Sequence, residues 1–186
     1  MSRFEFITTS LHGVKLVQRS VLSDARGFLS RFFCSEEFAK AGIDLPISQL
    51  NHTQTLKAGA VRGLHFQHPP FAEIKLISCL VGKVWDVAVD LRYNSPTFLQ
   101  WHGEYLSAAN RRSMYIPEGF AHGFQTLTDN CELIYLHSRA YKAESEGALH
   151  ALDPRLNITW PLPITEISEK DRNHKSLEPS YAGLTL

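Results

Sequence analysis

Hydrophobic positions along this chain fall in short runs, alternating or continuous, broken by Gly, Pro, Asn and Asp, while stretches of helical period are scarce. That pattern predicts a mainly β protein. Its clearest strand is 83–91, KVWDVAVDL, in which Trp85, Val87, Val89 and Leu91 point one way and Val84, Asp86, Ala88 and Asp90 the other. One face is expected to be greasy and the other to carry two carboxylates. Further strands are expected at 14–21, 27–33, 49–55, 61–66, 73–81, 99–106, 113–116, 122–126 and 131–137. Turn residues at Gly59, Pro69-Pro70, Gly82, Asn94-Ser95-Pro96, Gly103, Pro117-Glu118-Gly119 and Asp129-Asn130 separate many of them. Roughly ten strands so spaced make a sandwich or barrel, not a parallel α/β sheet. One short helix is expected at 35–41, with Ser35 as N-cap, Glu36 and Glu37 in the first turn and Gly42 as the stop. From Ala143 onward Pro and charge increase, and short helices or turns are expected. There is no internal repeat or linker, so residues 1–186 read as a single domain.

Composition narrows the partners. Nineteen Lys plus Arg balance nineteen Asp plus Glu among 186 residues, so no global field exists to hold nucleic acid or an anionic membrane, and any bound anion must meet locally placed cations. No apolar run approaches a membrane span and the N-terminus lacks a leader-like apolar core, which together predict a cytoplasmic protein. Three widely spaced cysteines, Cys34, Cys79 and Cys131, suit core thiols better than a disulfide framework or zinc cluster. Nine histidines are the compositional oddity, imidazole being the common base and metal ligand near neutral pH.

Two segments concentrate the candidate chemistry. In RGLHFQHPP, a strand places His65 and Gln67 on one face and Leu64 and Phe66 on the other. If 73–81 is the next strand, Glu73 and Lys75 share a face with Ile77, and two inward polar faces imply a wet or ligand-filled lumen. In IPEGFAHGF, His122 follows a Pro-Gly turn. Together the segments resemble the two-motif pattern of the cupin superfamily, in which such histidines line a double-sheet barrel. Many cupins hold a metal through a H-x-H pair, a glutamate and a third histidine. Here the pair reads His65-x-Gln67, which breaks that set and leaves His65, Glu73 and His122 as a poor alternative. No metal is expected.

A closer resemblance spans Asp24 to Asp171. The segments Asp24-Ala25-Arg26-Gly27-Phe28, Gln49-Leu50-Asn51, RGLHFQHPP, Glu73-Ile74-Lys75-Leu76, DVAVDLR with Ser95-Pro96-Thr97, IPEGFAHGF, Asp153-Pro154 with Ile158-Thr159-Trp160-Pro161, and Ser168-Glu169-Lys170-Asp171 follow one another in the order and approximate spacing of the dTDP-4-dehydrorhamnose 3,5-epimerase family. The resemblance implies a cupin-type jelly roll with a few short peripheral helices, and a homodimer in which strands near the N-terminus cross to the partner. It also implies inversion at C3, C5 or both of a nucleotide-linked 4-keto-6-deoxy sugar, without a cofactor. Each inversion needs a base, an electrophile for the carbonyl oxygen and an acid on the opposite face.

By the same resemblance His65 is the base, Asp171 the carboxylate that orients it, Lys75 the cation near the sugar carbonyl and Tyr135 the proton donor. Asp86 is the alternative orienting carboxylate. Arg26, Arg62 and Lys170 match positions that meet the diphosphate or sugar, Gln49 and Asn51 polar contacts, His122 a substrate-contacting histidine, Tyr141 the aromatic that stacks on the base and Glu146 an acidic contact. Where the family usually has a glutamate in the nucleotide site this chain has Arg31, which reverses the charge and offers donors only. Either the base preference has moved from thymine toward a base such as cytosine, or Arg31 meets solvent or phosphate. A non-catalytic or metal-dependent cupin is the alternative function.

Overall fold

Two β-sheets face one another in the computed structural model, which describes residues 2–186. The first runs in the order β1 (Phe4–Thr8), β2 (Lys15–Arg19), β10 (Arg112–Ile116), β7 (Lys75–Val81), β12 (Cys131–His137) and β5 (Gln49–Thr55). The second runs β13 (Glu146–Ala148), β6 (Ala60–Gln67), β11 (Phe120–Thr126), β8 (Lys83–Asp90) and β9 (Trp101–Ser107), with β14 (Glu166–Ile167) added parallel to β6. From β5 to β8 the chain alternates between the sheets, and β10, β11 and β12 alternate again, which is the double-sheet jelly roll. A separate hairpin, β3 (Val21–Asp24) and β4 (Gly27–Ser30), and two short helices, α1 (Ser35–Lys40) and α2 (Glu169–Arg172), complete the frame.

Ile77, Cys79 and Leu133 of the first sheet meet Val84, Ala88 and Phe124 of the second to form the inter-sheet core. Outside the first sheet, Leu76, Tyr115 and Leu136 pack against Phe38, Ile43 and Leu45 of the α1 region. Outside the second, Val87, Val89 and Leu91 lie under Leu149, Leu156, Leu177 and Leu184 of the C-terminal segment. Strand β8 is therefore covered on both faces, and its two carboxylates are fully buried, not solvated. Buried charges need partners. Asp90 accepts hydrogen bonds from Arg92, Ser95 and Thr97 at 2.7, 2.5 and 2.6 Å, which explains the Ser95-Pro96-Thr97 turn, and Asp86 pairs with His122. Cys79 and Cys131 are core thiols as expected, and burial pushes the Cys79 thiol up to about 12, where it is unreactive.

Three local details differ from the sequence expectation. The N-cap of α1 is the extended Cys34, with no side-chain cap, because Ser35 is already helical. The strand expected at 14–21 divides at Ser20, where the chain leaves the first sheet to begin the β3–β4 hairpin. The strand expected at 73–81 begins at Lys75; the Ser138 hydroxyl takes the Ile74 N–H at 2.8 Å, outside the ladder. Strands β1, β13 and β14 lie outside the expected set, and β13 and β14, at three and two residues, are too short to show a period.

The decisive irregularity lies in β6. His122 of β11 pairs with His65, and Phe124 pairs with Arg62, so Gly63 and Leu64 together oppose Gly123. This β-bulge shifts the side-chain period by one. Strict alternation would put Arg62 on the outer face with Leu64 and Phe66, whereas the bulge lets Arg62 line the same cavity as His65. Gly63 makes the close approach possible: its φ is +125°, and a Cβ there would come within 2.6 Å of Gly123 Cα. Gly63→Ala is expected to destabilise the fold by about 2–5 kcal/mol, from a disfavoured backbone and a forced overlap. Denaturant midpoints for the two proteins measure it, and an unchanged midpoint contradicts the account.

Candidate active site

At one end the inter-sheet core gives way to a cavity of about 240 Å³, lined by His65, Gln67, Glu73, Lys75, His122 and Tyr135 among others. On the wall formed by the second sheet, His65 Nε2 lies 2.7 Å from Asp171 Oδ1. Asp171 occupies the first turn of α2, where its backbone N–H donates to the Oγ of the N-cap Ser168 at 3.0 Å and leaves the carboxylate free to turn to His65. Its other oxygen accepts from Gly63 N–H at 3.3 Å. Burial would raise the Asp171 pKa, but the His65 hydrogen bond and charge, with the Gly63 N–H, outweigh it and hold it at about 2. The carboxylate is ionised at neutral pH and only accepts, so Nε2 is the ring nitrogen that donates, and in the neutral ring Nδ1 keeps its lone pair.

The opposite wall belongs to the first sheet. Tyr135 projects from β12 and lies edge-on to His122, ring centroids 5.9 Å apart, while His137 stacks on its far side at 6.0 Å. Burial first, and then the nearby Asp86 charge, push the phenol's pKa up, so it remains protonated. Lys75 Nζ is buried at the start of β7, 3.2 Å from Glu73 Oε1 and 3.2 Å from the His65 carbonyl oxygen to which it donates. Glu73 in turn holds His137 Nδ1 at 3.0 Å. Burial opposes ionisation of Glu73, but His137 and Lys75 together keep its pKa below the usual value. Lys75, His65 and Tyr135 thus stand around one volume, with His65 and Tyr135 on different sheets.

Around the mouth, Gln49 and Asn51 alternate inward from β5, with Gln49 Nε2 donating to Asn51 Oδ1 at 3.1 Å. Gln49 also accepts the Tyr141 N–H at 2.9 Å. Tyr141 donates to Glu146 at 3.0 Å, and Lys170 Nζ sits 2.6 Å from the same carboxylate. Arg62 lies exposed at this rim. Nine of the thirteen expected site residues therefore line this cavity, His65, Lys75, Tyr135, Gln49, Asn51, Arg62, His122, Tyr141 and Glu146, while Asp171 and Lys170 line an adjoining cavity that shares His65 and Arg62. Arg26 and Arg31 do not join them within this chain: Arg26 pairs with Asp24 on the exposed hairpin, and Arg31 pairs with Glu37 of α1 at 2.7 Å.

The geometry also separates the two histidine–carboxylate pairs. Asp86 serves His122, at 2.7 Å with both buried, so it is not the carboxylate that orients His65. The metal set considered from sequence, His65, Glu73 and His122, is not among the clustered ligand groups of the described residues, and each of the three pairs elsewhere, with Asp171, Lys75 and Asp86 respectively. Gln67, at the position of the missing metal histidine, accepts the Lys142 N–H and donates to the Phe71 carbonyl, tying down two loops. Sequence reasoning missed His137, although the alternation in CELIYLH puts it on the face of Tyr135. It also missed His174, whose Nε2 lies 3.6 Å from Asp171 Oδ1 and whose spacing from Asp171 carried no signal.

A jelly roll whose lumen gathers a carboxylate-bound imidazole from one sheet, and a protonated phenol and a buried lysine from the other, holds the groups of an acid–base enzyme for carbons beside a carbonyl. The sequence profile of the dTDP-4-dehydrorhamnose 3,5-epimerase family matches residues 8–179. Over 177 residues the chain is 42% identical to the dTDP-4-dehydrorhamnose 3,5-epimerase of Shigella flexneri, covering 94% of this chain and 97% of that one. It is 37% identical over 176 residues to a dTDP-4-dehydrorhamnose 3-epimerase of Streptomyces niveus, covering 94% and 84%. The crystal structure of the 3,5-epimerase from Elizabethkingia anophelis superposes with a TM-score of 0.91 at 36% identity, covering 97% of this chain and all of that one. The chain belongs to the dTDP-4-dehydrorhamnose 3,5-epimerase family, and it is an isomerase that epimerises a nucleotide-linked 4-keto-6-deoxy sugar. Among the described residues no helix is long and apolar enough to cross a membrane.

Proposed function

We propose that the cavity inverts both C3 and C5 of a dTDP-linked 4-keto-6-deoxy sugar, with His65 as base, Asp171 as its orienting carboxylate, Lys75 as the cation that favours the enolate oxygen, and Tyr135 as the acid. The observation that carries this reading is the placement of base and acid on opposite sheets. A proton leaves one face of the carbon to Nδ1 of His65 and another arrives from the Tyr135 hydroxyl on the other face, so the centre inverts. Lys75 acts on the developing charge more than on the neutral ketone, which is why it accelerates the reaction and does not merely hold the substrate. Both carbons adjoin the same carbonyl, so one base and one acid serve each in turn. No step needs a redox cofactor or metal.

The nucleotide extends past the mouth, where Arg62 and Lys170 meet the diphosphate, Tyr141 meets the base, and Gln49, Asn51, His122 and Glu146 contact the substrate. The partner in a homodimer supplies the rest. Leu22, Phe28 and Leu29 are 46%, 65% and 67% exposed on the β3–β4 hairpin, an apolar surface that a second copy covers as the hairpin carries Arg26 to the neighbouring mouth. A sedimenting mass of one chain would remove this part. Arg31 is neutralised by Glu37, which supports an unchanged preference for thymine; the second reading, a shift toward cytosine, requires that pair to open. The protein acts in the cytoplasm.

One experiment tests the reading as a whole. Supplied with the dTDP-linked 4-keto-6-deoxy sugar in deuterium oxide, the enzyme is expected to place deuterium at C3 and C5, as followed by NMR, and to do so equally after exhaustive chelation. In a parallel binding screen dTDP should bind at least about tenfold more tightly than CDP, about 1.4 kcal/mol. Absence of exchange at both carbons overturns the enzyme assignment, exchange at C3 alone restricts it to a 3-epimerase, and a preference for CDP restores the Arg31 argument.

A further inference from the structure

We propose that His65, Asp171 and His174 form a transition-metal site at which Zn²⁺ silences the catalytic base. These residues present one ligand atom each, two imidazole nitrogens and a carboxylate oxygen, all within 4.8 Å of one another. His65 Nε2 and His174 Nε2 stand 2.7 and 3.6 Å from the same oxygen, Asp171 Oδ1. The rings lie nearly perpendicular, at 81° with centroids 6.3 Å apart, so they meet around that oxygen without stacking on each other. His174 Nε2 is buried and has no hydrogen-bond partner, an exception among buried polar atoms that calls for an explanation. A place in a metal's coordination shell supplies one.

Local structure presets the arrangement. Asp171 is fixed in α2, and His174 follows directly on Asn173, whose N–H closes that helix onto the Glu169 and Lys170 carbonyls. His65 is held from β6, and together with Asp171 it lines a second cavity beside Arg62 and Lys170, from which solvent ions reach the site. Two imidazoles and one carboxylate leave a fourth position open, the donor set of an open zinc site, while Mg²⁺ and Ca²⁺ demand more oxygen ligands than are present. This trio differs from the His65, Glu73 and His122 set, which does not converge.

Binding and catalysis exclude one another. A metal takes the lone pair of His65 Nε2, so the proton that Nε2 shared with Asp171 must move to Nδ1 or leave to solvent. With the proton on Nδ1, no lone pair remains for the substrate. With the proton lost to solvent, the ring would be a metal-bound imidazolate, which does not form near neutral pH because the remaining N–H of a zinc-bound imidazole is a weak acid. Asp171 is claimed at the same time. Zinc is thus an inhibitor, the opposite of a cupin's catalytic metal. The loss of activity rests on the epimerase reading, whereas binding itself does not.

The test uses the full chain, stripped of metal. Calorimetric titration with Zn²⁺ should show one saturable site, and Co²⁺ should give the visible absorption of a tetrahedral N/O complex. Deuterium exchange into the keto sugar should fall in step with zinc occupancy, return with EDTA and ignore Mg²⁺ and Ca²⁺. His174→Gln should weaken zinc at least as much as loss of an outer partner does, about 10–100-fold. The zinc midpoint for loss of exchange should move by the same factor, each protein scaled to its own metal-free rate; His174→Asn serves if the first variant fails to fold. Lack of a saturable site, equal zinc affinity in wild type and variant, or full exchange by the zinc-loaded enzyme overturns the proposal. If no keto sugar exchanges at all, the calorimetric and Co²⁺ arms still decide whether the site exists.

Discussion

His65→Asn is expected to lower deuterium incorporation at C3 and C5 by about 10²–10⁴-fold, the usual contribution of a positioned general base. The amide is close to isosteric with part of the ring but is not a base at neutral pH, so the cavity keeps its shape and loses its proton acceptor. Asp171→Asn should cost about as much for a different reason. The native carboxylate accepts from Nε2 at 2.7 Å and is held ionised, so it selects the tautomer with a free lone pair on Nδ1 and stabilises the imidazolium that forms. An amide supplies neither the charge nor a unique preference for that tautomer. Because Asp171 reaches the substrate only through His65, its loss should fall on kcat and leave KM nearly unchanged. Steady-state kinetics separate the two, and a variant that exchanges at the wild-type rate would sink the dyad assignment.

Tyr135→Phe should separate two events that the wild type couples. Removal of the proton depends on His65, Asp171 and Lys75, all intact in this variant, so the enolate still forms. In the proposed mechanism its remaining proton source is then His65, on the face from which the proton came. Deuterium is expected to enter with retention of configuration, while inversion falls by about 10²–10⁴-fold, the share of one positioned acid. Chiral analysis of the sugar alongside NMR of the exchanged positions reads both outcomes. Inversion at an undiminished rate would remove Tyr135 from the acid role and direct attention to other donors on that wall. Loss of exchange together with inversion would make the phenol part of the enolate's stabilisation instead. The phenol's raised pKa, caused by burial and then by Asp86, keeps it protonated while His65 is neutral, as this division of labour requires.

How far the sequence can be read depends on the range of the interaction. Alternation in β8 and β12 located those strands, because the side-chain period of a strand is a local property. The face shared by His65 and Gln67 was legible for the same reason. Alternation could not tell which side of β8 meets water. Both sides are buried, since the C-terminal segment returns to cover Val87, Val89 and Leu91, and that return is a long-range event. Nor could it place Arg62, because the bulge that turns Arg62 inward exists only where β6 meets Gly123 of β11.

By itself, then, the chain's pattern determined a mainly β fold, the polar inner face of β6 and the absence of any global charge to hold a polyanion; the ordered motifs pointed to the histidine, lysine, tyrosine and aspartate as partners. Tertiary structure decided which carboxylate serves which histidine. Asp171 reaches His65 across 106 positions of chain, and Asp86, far nearer in sequence, goes to His122. It also decided that His65 and Tyr135 stand on different sheets around one cavity, that Arg26 and Arg31 lie outside this chain's own cavity, and that His174 closes on Asp171. Hydrogen bonds and ion pairs act over a few ångströms in space, whereas sequence periodicity reports only a residue's own strand or helix, so pairings between distant elements wait for the fold.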